Sequence, residues 1–170
     1  MKGPEGILFR VDMRLRPFGD SGPLAMSFNA IEEYYQRHGS EWERYAFIKA
    51  KTVAGDRQSG AHLLERLRPF IFRRYLDYGV YESLREMKNK ISREVEKKGF
   101  QENIKLGAGG IREIEFFGQI FQLVRGGVEP ELRARPILTI LDILAEGSYI
   151  SQQTCSQLKD AYHFLRRTEN

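Results

Sequence analysis

The segment from Ile7 to Leu15 constrains the fold most, because it alternates strictly between apolar residues at odd positions and mostly charged residues at even positions. Residues 10, 12, 14 and 16 are all charged, so the period is two and the pattern predicts a β-strand with one apolar and one charged face. Pro17 and the turn-rich segment 18–23 end this strand. A lone strand cannot satisfy its edges, so we expect its partner strands upstream of residue 1.

Beyond this loop the apolar residues recur at helical spacing to the end of the chain. Ser27, Ser40 and Ser151 stand where three of the helices should begin and are expected to cap them. Pro69 should kink or split the third helix. We therefore predict a mainly α fold, in which a bundle-like helical domain follows one remnant strand and continues past residue 170.

The composition excludes several classes of protein. The chain has 27 basic and 23 acidic residues, a net charge of +4, which suits a phosphate-bearing ligand without requiring one. Cys155 has no partner for an internal disulfide, and the three histidines lack metal-ligand spacing. The sequence shows no apolar run long enough for a bilayer, no signal peptide and no nucleic-acid-binding motif, so a cytoplasmic protein is expected.

The charged face of the predicted strand is the first candidate site, since Asp12 lies among Arg10, Arg14 and Arg16. A structural ion-pair cluster explains this pattern about as well as a catalytic site does. Four charges in a row favour an anionic partner with its metal, because guanidinium groups bind phosphate oxygens and carboxylates bind Mg²⁺. One carboxylate holds catalytic Mg²⁺ poorly, so the others would have to come from elsewhere.

The second candidate site is the glycine-rich segment 107–110, which leads into a helix. Backbone N–H groups at such a helix start suit an anion, and Lys105 lies just before them. The helix also carries a polar stripe, which forms either a solvated surface or the lining of a pocket: Arg112, Glu115, Gln119 and Gln122.

A third block spans residues 42–51 and is expected to be structural. Trp42 should lie in the core, whereas Glu43, Lys49 and Lys51 should lie in solvent or in ion pairs.

Three blocks of the sequence together resemble a known family: FRVDMRLRP at 9–17, WER with IKAK within 42–51, and KLGAGGIREIEF at 105–116. The resemblance is to the bifunctional glutamine-synthetase adenylyltransferase/adenylyl-removing enzymes, which belong to the DNA polymerase β nucleotidyltransferase superfamily. The residues of the third block and of segment 18–23 resemble those of the N-terminal half of these enzymes. That half removes AMP from a tyrosine of glutamine synthetase by phosphorolysis and releases ADP. The family's first catalytic block, Gly-Gly-Ser followed by Asp-x-Asp, is absent here and is expected upstream.

The resemblance implies roles for individual residues. Asp12 would be the third carboxylate of a Mg²⁺ site, and Arg14 and Arg16 would be catalytic residues that orient phosphate or carboxylate groups. Because the other two carboxylates are missing, the chain alone is expected to be inactive. The contacts to nucleotide or phosphate would be Lys49, Lys105, Gly109, Gly110, Arg112 and Glu115.

The resemblance also implies a domain division and a set of partners. Residues 1–24 would form the last strand and loop of the α+β nucleotidyltransferase domain, and residues 25–170 a helical domain truncated at its C-terminal end. The expected partners are adenylylated glutamine synthetase, a PII-type signal protein, phosphate and the nucleotides ATP, ADP and AMP, but neither nucleic acid nor a membrane. An alternative is a non-catalytic helical module that docks glutamine synthetase or the PII-type regulator, with Asp12 merely structural.

Overall fold

The helices of this fold follow one another along the chain with short connections. They are α1 (Phe28–Arg37), α2 (Glu41–Phe47), α3 (Arg57–Arg66), α4 (Arg68–Ile71), α5 (Gly79–Lys97), α6 (Ile111–Arg125), α7 (Ile137–Glu146) and α8 (Gln152–Glu169). Short 3₁₀ turns occupy Gly19–Ser21 and Pro130–Arg133. The computed structural model describes all residues except 1, 4–5, 8–10, 14, 74–78, 98, 101 and 170, and only the backbone of 2–3, 6–7, 80–81 and 83. The fold is mainly α, as predicted.

The N-terminal segment differs from the predicted strand over Ile7–Leu15. Strand β1 (Lys2–Gly3) pairs antiparallel with β2 (Gly6–Ile7), and this ladder is two residues long on each side. Residues 11–13 and 15–16 are not in a strand, while residues 8–10 and 14 lie outside the described part of the chain. Within that part no strand pairs with residues 11–13 or 15–16, so nothing supplies the ladder of hydrogen bonds that an extended strand requires. The apolar residues of this segment are about half exposed: Val11, Met13 and Leu15.

The predicted helix starts are confirmed. The Ser27 hydroxyl accepts a hydrogen bond from Ala30 N–H at 3.3 Å, and the Ser151 hydroxyl accepts one from Thr154 N–H at 3.0 Å. Ser40 begins α2 in a capping box, in which the Glu43 carboxylate accepts from the Ser40 N–H at 2.9 Å. These local bonds fix where the helices begin and therefore which residues face inward.

Helix α3 ends at Arg66 and helix α2 ends at Phe47. The predicted split at Pro69 is confirmed, because α3 ends at Arg66 and Pro69 lies in the first turn of α4. Helix α2 is only seven residues long and ends at Phe47. The short turn after Phe47 brings the following basic segment toward α6 instead of continuing along α2.

Two hydrophobic clusters make up the core, and α6 contributes to both. The first cluster joins α1 to α5 with the C-terminal part of α6: Tyr35, Ile48, Leu67, Ile71, Leu84 and Leu123. The second joins the N-terminal part of α6 to α7 and α8: Ile114, Leu132, Ile137, Ile140, Leu141, Leu144, Ala145 and Cys155. Gly118 allows α6 and α7 to approach closely, because a Cβ there would lie 2.4 Å from Ile137 Cδ1. None of the described helices has the length and apolar character needed to cross a membrane.

The burial of the α2 residues Trp42 and Glu43 is the reverse of the prediction. Trp42 is 47% exposed and Glu43 is only 4% exposed. The Glu43 carboxylate is held inside by Ser40 and by the Tyr34 hydroxyl, which donates to it at 3.1 Å. Since neighbouring residues on a helix point about 100° apart, the capping bond that draws Glu43 inward turns Trp42 toward solvent.

Arg44, the next residue of α2, is completely buried. Its guanidinium donates to the Phe70 carbonyl at 3.0 Å and to the Ile71 carbonyl at 3.3 and 3.4 Å, which are carbonyls at the C-terminal end of α4. It also pairs with Glu41, whose carboxylate reaches Arg73 at 3.1 Å. Arg44 therefore fastens α4 to α2 from within the core.

Candidate functional site

A small open pocket lies where the end of α2 meets the start of α6. Its volume is about 250 Å³, and we call it the cationic pocket. The lining residues are Tyr45, Ala46, Lys49, Lys105, Arg112, Glu115 and Gln119. Four of the residues predicted to contact nucleotide or phosphate therefore meet here, although they come from two separate blocks of the sequence: Lys49, Lys105, Arg112 and Glu115.

The secondary structure explains why these side chains meet. Arg112, Glu115 and Gln119 are spaced by three and four residues in α6, so they share one face of that helix. Lys49 follows the last turn of α2, which packs against α6. Lys105 precedes α6 in the loop that leads to it.

Positive charge dominates the wall formed by Lys49. Its ammonium group donates to the Arg135 carbonyl at 2.7 Å. Burial lowers the pKa of Lys49, and the nearby positive charges of Arg135 and Arg166 act in the same direction, while Glu115 opposes them. Lys49, Lys105 and Arg112 line the pocket together with the single carboxylate of Glu115, so the balance of charge favours an anionic ligand.

Helix α8 supplies carboxylate and cation partners around the pocket. Glu115 accepts a hydrogen bond from the Tyr162 hydroxyl at 3.3 Å and lies 3.6 Å from the Arg166 guanidinium. Lys105 lies 3.2 Å from the carboxylate of Glu169, which also pairs with Arg166. These contacts hold Glu115 and Lys105 in position while leaving cations in excess over carboxylates around the pocket.

Tyr45 and Gln119 form the neutral part of the lining. Burial raises the pKa of Tyr45 to about 12, so its hydroxyl stays protonated at neutral pH and can donate a hydrogen bond. The Tyr45 ring lies 5.5 Å from the Phe116 ring, which fixes it against α6. Gln119 is 5% exposed, which excludes a solvated surface for this part of the polar stripe.

Gln122 continues the same stripe but has a structural role. It is completely buried, and its amide donates to the carbonyls of Leu132 and Ala134 at 2.8 and 2.7 Å. Its Oε1 atom has no hydrogen-bond partner within the described part of the chain. Gln122 thus anchors the 3₁₀ turn before α7 and takes no part in the cationic pocket.

The glycine loop before α6 uses its backbone donors in local hydrogen bonds. Gly109 adopts a positive φ of 72° and donates its N–H to the Glu113 carboxylate at 3.0 Å, while Gly110 donates to the Gly107 carbonyl at 3.0 Å. The first two N–H groups of α6 also bond to carbonyls within the loop. These donors are used internally, and an anion contact by Gly109 and Gly110 stays a prediction. A Cβ on Gly110 would lie 2.6 Å from the Ile104 carbonyl oxygen, so this glycine serves the close packing of the loop.

None of the described residues of the first block, 11–13 and 15–17, lines the cationic pocket. Asp12 is exposed, and Arg14 lies outside the described residues. Arg16 donates to the carbonyls of Met13, Gly22 and Asp20, which stabilises the turn-rich loop. Searching the described residues finds no group of three or more His, Cys, Asp or Glu side chains placed to hold a metal ion. These residues alone therefore do not make a Mg²⁺ site.

A larger apolar cavity, not foreseen from the sequence, lies between α5 and α6. Its volume is about 300 Å³, and we call it the α5–α6 cavity. Lys88 and Glu113 pair at 3.7 Å between its two helices, and Arg112 lines both this cavity and the cationic pocket. The apolar lining residues are Ile91, Val95, Leu106, Phe116, Phe117 and Ile120.

Comparisons with known proteins support the resemblance. Residues 1–66 match the model of the family described as glutamate-ammonia ligase adenylyltransferase, and residues 85–170 match that of GlnD PII-uridylyltransferase. The chain is similar to proteins named bifunctional glutamine synthetase adenylyltransferase/adenylyl-removing enzyme from Thioalkalivibrio sulfidiphilus (57% identity), Nitrosococcus oceani (58%) and Pseudomonas syringae pv. tomato (55%). Each alignment covers 98% of this chain but only 17% of the relative. With such identity along nearly its whole length, the chain belongs to the family of bifunctional glutamine synthetase adenylyltransferase/adenylyl-removing enzymes.

Proposed function

We propose that this chain belongs to the adenylyl-removing half of such an enzyme and that its cationic pocket holds phosphate groups during removal of AMP from glutamine synthetase. The observation that carries the proposal is the convergence of Lys49, Lys105 and Arg112 on one pocket. These three residues belong to two of the blocks that resemble the family, and they outnumber the one carboxylate of the pocket, Glu115, so an anion is the favoured ligand.

The proposed reaction is the phosphorolysis of a tyrosine–AMP bond. An oxygen of inorganic phosphate attacks the adenylyl phosphorus, the bond from phosphorus to the tyrosine oxygen breaks, and ADP forms. The tyrosine oxygen leaves with the electron pair and ends as a phenol after taking up a proton. Lys49, Lys105 and Arg112 would offset the charge of the two phosphate groups that must approach each other, and the protonated Tyr45 would donate a hydrogen bond.

The α5–α6 cavity suits the adenine base of the same ligand. Arg112 borders both cavities, so a nucleotide can place its ring among the apolar side chains and its phosphate beside the cations. The cavity volume of about 300 Å³ is at the lower end of the usual range for small-ligand sites.

Asp12 is proposed as one carboxylate of a Mg²⁺ site whose other ligands come from chain outside this sequence. A bound Mg²⁺ would supply charge neutralisation at the reacting phosphates. Since one carboxylate holds this ion poorly, we expect the 170-residue chain to be inactive by itself.

A docking role is the second candidate, and the exposed apolar residues favour it. Trp42 is 47% exposed, and Val11, Met13 and Leu15 are between 48% and 61% exposed. Such residues are typical of protein interfaces. In this case the chain would bind glutamine synthetase or a PII-type signal protein without contacting the reacting phosphates.

The test compares two double variants in the full-length protein. Lys49→Ala with Lys105→Ala removes two cations from the pocket, and Arg85→Ala with Lys90→Ala removes two exposed cations from α5 as a charge-matched control. Phosphate-dependent ADP release from adenylylated glutamine synthetase measures removal, and AMP incorporation from ATP measures addition. Two charge-assisted contacts are together worth about 3 kcal/mol or more, so removal should fall about 100-fold in the first variant only.

The pattern of losses separates the alternatives. Loss of removal with addition retained supports the proposal, whereas loss of addition alone would place the chain in the other half. If both reactions survive in the Lys49→Ala/Lys105→Ala variant and in Asp12→Asn, the docking role is favoured and the proposed phosphate site is wrong.

A further inference from the structure

A second basic pocket lies on a different part of the molecule. It has a volume of about 410 Å³ and is formed by the segment after α2, by α3 and α4, and by the 3₁₀ turn at Pro130–Arg133 and the residues that follow it. We call it the second pocket. Its basic lining residues are Lys51, Arg57, Arg68, Arg133 and Arg135, and its floor contains Phe47, Leu64, Ile71 and Phe72.

The charges of the second pocket are strongly unbalanced. Glu65 is the one carboxylate residue that lines it among the described residues, and it lies 3.4 Å from Arg68. Burial lowers the pKa of Arg133, and the positive charge of Arg68 lowers it further. Gathering like charges in one concave surface is unfavourable unless an anion binds there.

Arg133 is held in place by the fold. Its guanidinium donates to the carbonyls of Gly126 and Gly127, and it lies 5.8 Å from the centre of the Phe72 ring. Carbonyl oxygens orient a guanidinium without neutralising its charge. The pocket therefore presents a preorganised cation, flanked by Arg68 and the more exposed Arg57.

The second pocket shares no lining residue with the cationic pocket. Lys49 lines the cationic pocket, and Lys51, two residues later, lines the second pocket. Lys49 also donates a hydrogen bond to the carbonyl of Arg135, a residue that lines the second pocket. An anion in the second pocket would therefore lie near, but not in, the site proposed for the reaction.

We propose that the second pocket binds a small oligophosphate, either free or as the phosphate chain of a nucleotide. Four of its five cations are arginines, whose planar forks match phosphate oxygens in pairs. The site is an open pocket with a volume of about 410 Å³, which is large enough for one short phosphate chain. Its apolar lining residues would contact the nucleobase of a nucleotide, but the phosphates bind without that contact.

The test measures binding of inorganic triphosphate to the full-length protein by calorimetry. It is run in the Lys49→Ala/Lys105→Ala background, which removes two of the three cations of the cationic pocket and so reduces its contribution. Adding Lys51→Ala and Arg57→Ala removes two exposed cations of the second pocket, whereas adding Arg85→Ala and Lys90→Ala is the charge-matched control. We expect at least a 10-fold weaker affinity in the first case and less than a 2-fold change in the control, with unchanged thermal unfolding in both.

Each outcome supports or overturns the proposal independently of the proposed function. Equal weakening in both variants means that triphosphate responds to net charge alone and overturns the proposal, as does the absence of binding in the background protein. Binding of a glutamate-rich peptide, but not of triphosphate, would assign the pocket to an acidic protein segment instead. When triphosphate binds as expected, a more than 10-fold tighter affinity for ATP that is lost on adding Lys51→Ala and Arg57→Ala identifies a nucleotide, and equal affinity identifies free oligophosphate.

Discussion

Replacing the buried Arg44 should cost more stability than replacing any exposed arginine of this chain. Its buried guanidinium satisfies the carbonyls of Phe70 and Ile71 and pairs with Glu41, whose side chain is 26% exposed. Arg44→Ala leaves two carbonyls without this donor, at about 1–3 kcal/mol each, and opens a cavity in the core. The expected loss is about 3–5 kcal/mol, the usual cost of breaking a buried charged network.

Urea unfolding followed by circular dichroism measures this loss. With a slope of about 2 kcal/mol per molar urea, the midpoint should fall by about 2 M. Arg44→Lys should lose less, because it keeps the charge but lacks the fork that reaches both carbonyls. Arg37→Ala is the matched control, since its pair with Glu33 is exposed and is worth less than about 1 kcal/mol. The reasoning is refuted when the free energies of unfolding of Arg44→Ala and Arg37→Ala differ by less than about 1 kcal/mol.

Three further predictions concern other buried or constrained groups. Gln122→Ala should lower the free energy of unfolding by about 2–3 kcal/mol in urea titrations, because two buried carbonyls lose their amide donor while its unpaired oxygen is also removed. The hydrogen bond from Tyr149 lowers the pKa of Glu129 below its ordinary 4.5, so its stabilisation is complete above that pH and is lost on acidification below it. The difference in melting temperature between wild type and Glu129→Gln should therefore shrink as the pH falls below about 4.5. Gly110→Ala should lower the melting temperature, because its Cβ would lie 2.6 Å from the Ile104 carbonyl oxygen and the backbone must move; an unchanged value contradicts the close packing of this loop.

Local signals in the sequence were sufficient to predict where several of the helices begin or end. The caps at Ser27 and Ser151 and the split at Pro69 depend on groups a few residues away, which a sequence shows directly. The N-terminal strand was predicted from its alternation but requires partner strands to form. At residues 11–13 and 15–16, which the structure describes, those hydrogen bonds are not supplied, so the pattern alone was insufficient.

The candidate site was only partly predictable for a similar reason. The family resemblance selected Lys49, Lys105 and Arg112, and the structure brings them together. The sequence does not show that the N–H groups of Gly109 and Gly110 bond within the structure, because these bonds depend on the path of the whole loop. The anion contact expected there stays a prediction. The basic residues of the second pocket come from separate segments without a common spacing, so no sequence pattern indicates them.

The position of α6 in both hydrophobic clusters has a consequence for how the domain opens. Ile114 belongs to the cluster with α7 and α8, whereas Leu123 belongs to the cluster with α1 to α5. Neither cluster can separate from α6 without exposing buried apolar surface of the same rigid helix, so the two halves should unfold as one cooperative unit. The central amides of α6 should then exchange with solvent deuterium only through global unfolding, which makes this helix the slowest to exchange in the chain.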